Sequence, residues 1–226
     1  MNTTRKRLCV IACGLALAIG AGVTAHAEDQ AAYLPHAGTI QLSLDAAGVF
    51  FNSSAKFTLA GHPVPGANLT MSNTATATFE AEFYVHRDVS LSVNLGVPPT
   101  TSAKGAGSLS ALGNLGSVQF GPGASYVNYH FGGLGKVQPF VGAGVTRMLI
   151  FADHDGAITR LNVHPSWGTA VRGGVVYMMT PRWGINANVS HLWLSTHAGG
   201  VFNGKEVGAK AVLDPTIIHG GVTMRF

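Results

Sequence analysis

Charge is what this sequence has least of. Of its 226 residues, 11% are Asp, Glu, Lys or Arg, against roughly 25% in an ordinary soluble domain, too few for a conventional water-facing surface. Beyond Val23 there is also no run of about 18 uninterrupted apolar residues, which excludes a bundle of membrane-spanning helices. Cysteine is confined to Cys9 and Cys13, so nothing downstream can be stapled by a disulfide. The low hydrophobicity that disorder requires is missing too, because 46% of the chain is hydrophobic alongside 30 Gly and 10 Pro. These exclusions leave β-structure.

The first residues settle the compartment. Arg5, Lys6 and Arg7 precede an apolar run over 8–23, and Ala25-His26-Ala27 stands before Glu28 and Asp29. This is the order of a secretory signal peptide, with Ala25 and Ala27 framing the cleavage site. Sixteen apolar residues are short for a membrane anchor. The expected organisation is a signal peptide over 1–27 and one domain over 28–226. Cleavage removes three basic residues, both cysteines and no acidic residue, leaving 11 basic against 10 acidic. Such a balance gives no clustered basic face for nucleic acid. An exported chain without disulfides needs another device to hold it, and a closed hydrogen-bonded barrel is one.

Period-two patterning then recurs along the chain. Ile40, Leu42, Leu44 and Ala46 alternate with Gln41, Ser43 and Asp45, which is a strand with one apolar face. Ala75, Ala77, Phe79, Ala81 and Phe83 alternate with Thr and Glu, and Val89, Leu91, Val93, Leu95 and Val97 with Ser, Asn and Gly. Further strands are expected over 117–131, 137–151, 166–178, 184–195 and 207–226, giving eight. Over 137–151 two registers are open. One exposes Val141, Ala143, Val145 and Arg147, the other Phe140, Gly142, Gly144, Thr146 and Met148. The second is preferred, because a charge facing lipid near the midplane costs about 2 to 4 kcal/mol. Longer connections over 52–72, 98–116, 152–165 and 196–206 alternate with short turns near His86, Gly132 and Pro181. That is the asymmetry of an outer-membrane barrel with periplasmic termini.

A soluble eight-stranded barrel would point its apolar face inward and need a charged exterior, which 21 charged residues in the mature chain do not supply. In an antiparallel transmembrane β-barrel the apolar face meets lipid, and Asp45, Glu80, Glu82, Arg172 and Arg225 turn into the lumen. Phe50, Phe51, Phe120, Phe151, Trp167 and Trp193 then fit an outer aromatic girdle, and Phe83, Tyr84, Tyr129, Phe131, Tyr177 and Trp183 an inner one.

Several pieces of sequence carry a family resemblance: Pro98-Pro99 after the third strand, Leu115-Gly116-Ser117-Val118 with Pro122 leading into Tyr129-His130-Phe131, Gln138-Pro139-Phe140-Val141-Gly142-Ala143-Gly144-Val145, Trp167-Gly168, Arg182-Trp183, and Leu213-Asp214-Pro215 before the last strand. With these the chain resembles the OmpW family of eight-stranded outer-membrane proteins over 33–226. The ending, with Gly221, Met224 and Phe226, resembles the C-terminal signal read by the barrel-assembly machinery. The resemblance implies passive passage of small hydrophobic molecules through a narrow lumen, with membrane lipid and lipopolysaccharide as surroundings and no cofactor. Eight strands are about filled by their own side chains, so any solute site belongs near the outer mouth, while the five lumen charges could pair and plug the lower barrel. The alternative is a filled structural or surface-interaction barrel whose loops bind partners.

Other signals are weaker. His154 and His164 near Asp153 and Asp155 match no zinc spacing, and Asp153-His154-Asp155-Gly156 lacks the later Gly and closing Glu of a calcium loop. His191, Ser195 and His197 lie close in sequence without a nucleophile motif. Neither a metal site nor an enzyme is expected.

Overall fold

Where polar and apolar residues alternate, the chain is strand. A computed structural model describes residues 32–132 and 135–226; the expected signal peptide and its cleavage residues Ala25 and Ala27 lie outside the described residues. In chain order the strands are β1 (Ile40–Phe50), β2 (Ser54–Leu59), β3 (His62–Pro63), β4 (Ala67–Met71), β5 (Thr74–His86), β6 (Val89–Gly96), β7 (Thr100–Gly107), β8 (Asn114–His130), β9 (Val137–Asp155), β10 (Thr159–Val163), β11 (Ser166–Met178), β12 (Trp183–Phe202), β13 (Lys205–Val212) and β14 (Thr216–Arg225).

Eight of these, β1, β5, β6, β8, β9, β11, β12 and β14, pair antiparallel in that order, and β14 returns to β1. The protein is an all-β, eight-stranded antiparallel barrel, and closure leaves no sheet edge within the ring. Its last bonds are made by the chain end: Ile40 and Phe226 exchange backbone hydrogen bonds in both directions. Met224 and Phe226 face outward from the final strand, while Gly221 faces inward beside Asp45.

Alternation fixes the two faces. On β1, Gln41, Ser43 and Asp45 are buried in the lumen while Leu44 is 59% exposed on the outside. The rest of the outer surface follows suit with Phe79, Leu95, Val127, Val189 and Val222. An exposed apolar band around a polar interior is the inverse of a soluble barrel and is solvated by lipid.

Three sequence expectations are corrected. First, β9 takes the register that was not preferred: Val141, Val145 and Arg147 face out, and Phe140, Thr146 and Met148 are buried. Arg147 pairs across the sheet with Trp167, and its guanidinium carbon lies 5.2 Å from that ring's centroid. It therefore sits in the outer aromatic belt, where a long side chain reaches the headgroups at little cost. The midplane penalty did not apply. Second, three of the expected girdle aromatics point inward. Tyr84 is completely buried, and Phe51 packs edge-on against buried Phe120 inside the upper lumen. Third, the long outer connections are not loops. They hold β2, β3, β4, β7, β10, β13 and the upper ends of β8, β9 and β12, and they extend the wall well above the belt of Trp167 and Trp193. The strand expected over 207–226 is accordingly two, broken where Asp214 takes a positive φ of 30° just before Pro215.

An apolar cup above a polar plug

The lumen changes character with height. Its lower part is a hydrogen-bonded network. Arg172 on β11 makes two charge-assisted bonds to the Glu80 carboxylate, at 2.7 and 2.6 Å, and two more to Asn128 Oδ1 and Ser92 Oγ, each at 2.9 Å. Fork-to-fork geometry of this kind is the strong form of such a pair. Two rings lie close to the guanidinium carbon, Tyr126 at 4.3 Å and Phe140 at 5.1 Å. Glu82, one inward position below, accepts from Gln41, Ser90 and Asn128 and lies 3.1 Å from His130 Nε2. Asn128 connects the two carboxylate clusters, since its carbonyl oxygen accepts from Arg172 and its amide donates to Glu82.

A glycine makes this crossing possible. A Cβ on Gly142 would collide with Asn128 Oδ1 and lie 3.3 Å from Arg172 Cγ, so β9 must leave its inward position empty there.

At the periplasmic end, Arg225 donates to Gln41, Gln138 and the backbone oxygen of Tyr33, so the segment before β1 is tied across the opening. The five charges expected in the lumen all point there and are all buried. They do not form one paired set. Only Glu80 and Arg172 meet as carboxylate and guanidinium; Arg225 is satisfied by amides and a carbonyl. Asp45 receives Asn186 Nδ2 at 2.7 Å on one oxygen, with the other oxygen unpartnered.

Above His219 and Ala47 the lining turns apolar. Inward residues of the extension, among them Phe57 on β2, Leu69 on β4, Leu115 and Val118 on β8, and Leu213 after β13, form one cluster with Phe120 and Met148 below. They surround a cavity of about 70 Å³. One hydroxyl in its wall, that of Thr196, is spent on the backbone oxygen of His164. A cavity with apolar walls and no polar partners for water stays dry and accepts apolar guests.

The wall around this cup is not laddered everywhere. β10 pairs with β12, yet no backbone register joins it to β9; instead Asp153 and Asp155 accept the backbone N–H groups of Val163 and Leu161, at 3.2 and 3.0 Å. Bonds from the Leu161 and Arg160 amides hold the Asp155 carboxyl below the usual range. Between β2 and β4, Asn68 and Ser53 accept the N–H groups of Ala55 and Met71 in the same manner. The wall thus has two seams held by side chains, and the aspartates once weighed as metal ligands serve one of them. Among the described residues no cluster of His, Asp or Glu is placed to hold a metal ion. His191, Ser195 and His197 all lie on the outward face of β12, with His191 Nδ1 at 3.1 Å from the Thr216 hydroxyl.

Sequence reasoning placed a solute site near the outer mouth but missed the residues that build the cup. Its signal was present, since Ala55, Phe57 and Leu59 alternate with Ser54, Lys56 and Thr58, but the segment was read as loop. It also missed Asn128, Gln138 and Tyr84, whose roles depend on neighbours distant in sequence.

Comparison with known proteins agrees with this architecture. The OmpW family model matches residues 36–226. The chain belongs to the OmpW family. The dibenzothiophene metabolism operon protein PahQ of Pseudomonas aeruginosa is 30% identical over 178 residues, 79% of this chain and 84% of that protein. The outer membrane protein AlkL of Ectopseudomonas oleovorans is 29% identical over 168 residues, 74% of this chain and 73% of that one. Among solved structures, the outer membrane protein OprG of Pseudomonas aeruginosa superposes with a TM-score of 0.79 at 19% identity, covering 84% of this chain and 97% of its own. This OmpW-family chain is an outer-membrane protein, seated in lipid by its apolar band.

Proposed function

We propose that the barrel admits small apolar molecules from outside the cell into the cup and passes them on without energy input. The observation that carries this reading is the vertical division of the lumen: an apolar cavity lies in its outer part, and the network of Arg172, Glu80, Glu82 and Arg225 fills the barrel below it. Moving an apolar solute down through that network would break bonds to buried charges, each worth about 1.5 to 3 kcal/mol. Sideways release through the side-chain-held seams disrupts less. The gene context carried in the name of PahQ, dibenzothiophene metabolism, suits a fused-ring aromatic solute class. No cofactor or catalytic group is assigned, and the outward row of His191, Ser195 and His197 is interfacial.

The same reading gives the ends of the chain their tasks. Residues 1–27 direct export with cleavage after Ala27, and Gly221, Met224 and Phe226 present the last strand to the barrel-assembly machinery. Lipid and lipopolysaccharide surround the finished barrel.

Uptake into liposomes tests the transport reading, using short alkanes, naphthalene-sized aromatics and small sugars with and without the refolded barrel. Selective acceleration of the apolar solutes is expected, and a Phe57→Arg barrel that is folded should lose it. Equal acceleration of sugars, or no acceleration by demonstrably folded protein, would overturn it.

A further inference from the structure

On the outward face of the extension, opposite the cup, one row across four strands carries only basic or titratable side chains. Registers place His164, just past the end of β10, beside His197 of β12, His197 beside Lys210 of β13, and Lys210 beside Lys56 of β2. All four are exposed, and their neighbours in sequence, Val163, Thr196, Ala211 and Phe57, are buried toward the cup. Lys104, exposed on β7 opposite Thr70 of β4, continues the arc.

This arrangement is costly by itself. Directly opposed residues in an antiparallel pair hold their Cβ atoms about 5 Å apart, and like charges there repel. Among the described residues no ion pair includes Lys56, Lys104 or Lys210. The outward carboxylate on β13, Glu206, lies four residues farther from the membrane than Lys210, and Asp214 spends an oxygen on the Leu194 amide. Beside the lysine pair lies a groove of about 490 Å³ whose polar lining is Lys56, Lys210, Ser54 and Asn68, with Ala55, Gly66, Ala67 and Val212 between them.

Height selects the ligand. His197 follows outward-facing Trp193 by four residues on β12, about 13 Å along the strand and about 10 Å along the membrane normal for a strand tilted near 40°. The Trp belt marks the boundary of the hydrocarbon, so the lysine row lies among the headgroups of the outer leaflet. We infer that Lys56 and Lys210, with His197, His164 and Lys104 around them, form a binding site for the phosphorylated saccharide headgroup of an outer-leaflet glycolipid, lipopolysaccharide. The bound phosphate relieves the cross-strand repulsion and pins the lipid against the wall that encloses the cup. This inference rests on the outer-membrane seating and on the extension facing outward; it does not depend on transport.

Binding is measured on the folded barrel in detergent with three probes: lipopolysaccharide bearing its lipid A phosphates, the same material after phosphatase treatment, and phosphatidylglycerol. Two lysines near an anionic surface contribute about thirtyfold in affinity together. The native protein should prefer the phosphorylated probe by about that factor over the treated one. The double variant Lys56→Ser, Lys210→Ser should lose the preference, while Lys56→Arg, Lys210→Arg should keep it. Unchanged preference in the serine variant would overturn the site, as would phosphatidylglycerol binding as tightly as phosphorylated lipopolysaccharide. Folding of each variant is checked by its heat-modifiable electrophoretic mobility. If solute uptake fails in liposomes free of lipopolysaccharide while headgroup binding persists, the transport reading falls and this site stands.

Discussion

The lower and upper halves of the lumen use the same strands to opposite ends. Below, β1, β5, β8, β11 and β14 send in Asp45, Glu80, Glu82, Asn128, Arg172 and Arg225, tied into a hydrogen-bonded network that leaves Asp45 Oδ2 and Asn186 Oδ1 unpartnered. Above, β8 and β9 send in Val118, Phe120 and Met148, joined by Phe57 and Leu69 from the extension, and leave space unfilled. A barrel of eight strands is rigid where its interior is tied by charge and receptive where its interior is greasy and incomplete. The closed ring carries the load in one half, and side-chain-held seams suffice in the other.

The largest test of this contrast is removal of one partner from the plug. Arg172→Met strands Glu80 in the lumen and should cost about 3 to 5 kcal/mol in urea unfolding from bilayers, because an uncompensated buried charge is left behind. Replacing Glu80 by Met as well should recover at least half of that loss. A deletion in the upper half acts differently. Leu115→Ala, at the cup wall, should cost about 2 to 3 kcal/mol while shifting liposome uptake toward bulkier two-ring solutes; no change in solute preference would separate the cavity from transport. Smaller again is the cost of crowding the plug: Gly142→Ala presses on Asn128 and Arg172 and should lose about 1 to 2 kcal/mol, read as a lower urea midpoint at unchanged slope.

The smallest effect concerns the β9–β10 seam. Asp155 has its carboxyl pKa lowered from an ordinary 3.8, chiefly by the Leu161 amide. A depressed carboxyl contributes stability that is fully present above its unfolded value and is lost as pH falls through the folded value. Hydrogen exchange at the Leu161 amide, corrected for intrinsic rate, should therefore be flat from pH 7 to 5 and lose protection only below 3.8. Loss of protection between pH 7 and 5 would mean that another group holds the seam.

Much of the fold was legible because its physics is local. Alternation of Ile40, Leu42 and Leu44 with Gln41, Ser43 and Asp45 reports both strand and face, and charge scarcity assigns the apolar face to lipid. The register of β9 was less accessible, since the cost of an outward Arg147 depends on depth, and depth is set by where Trp167 pairs rather than by anything in the strand itself. Tyr84 looked like an interfacial aromatic by its place near a strand end; alternation with Glu82 already put it inside. The outer connections were read as loops because Gly61, Pro63, Pro65 and Gly66 break the pattern around β3, although the six residues of β2 keep period two. The plug charges could be named from their inward phase, but Asn128 and Gln138 could be recognised as their partners only after strands far apart in sequence were brought side by side.

The central claim is that apolar solutes occupy the cup and are stopped by the plug. Methyl NMR of the barrel in deuterated lipid, titrated with octane, addresses it directly. The account predicts solute contacts to the methyls of Leu69, Leu115, Met148 and Ile158 around the cup, and none to Val176 or Met178 at the periplasmic end. Contacts to Val176 and Met178 at comparable strength would mean that solute runs the length of the lumen, and the account would be wrong.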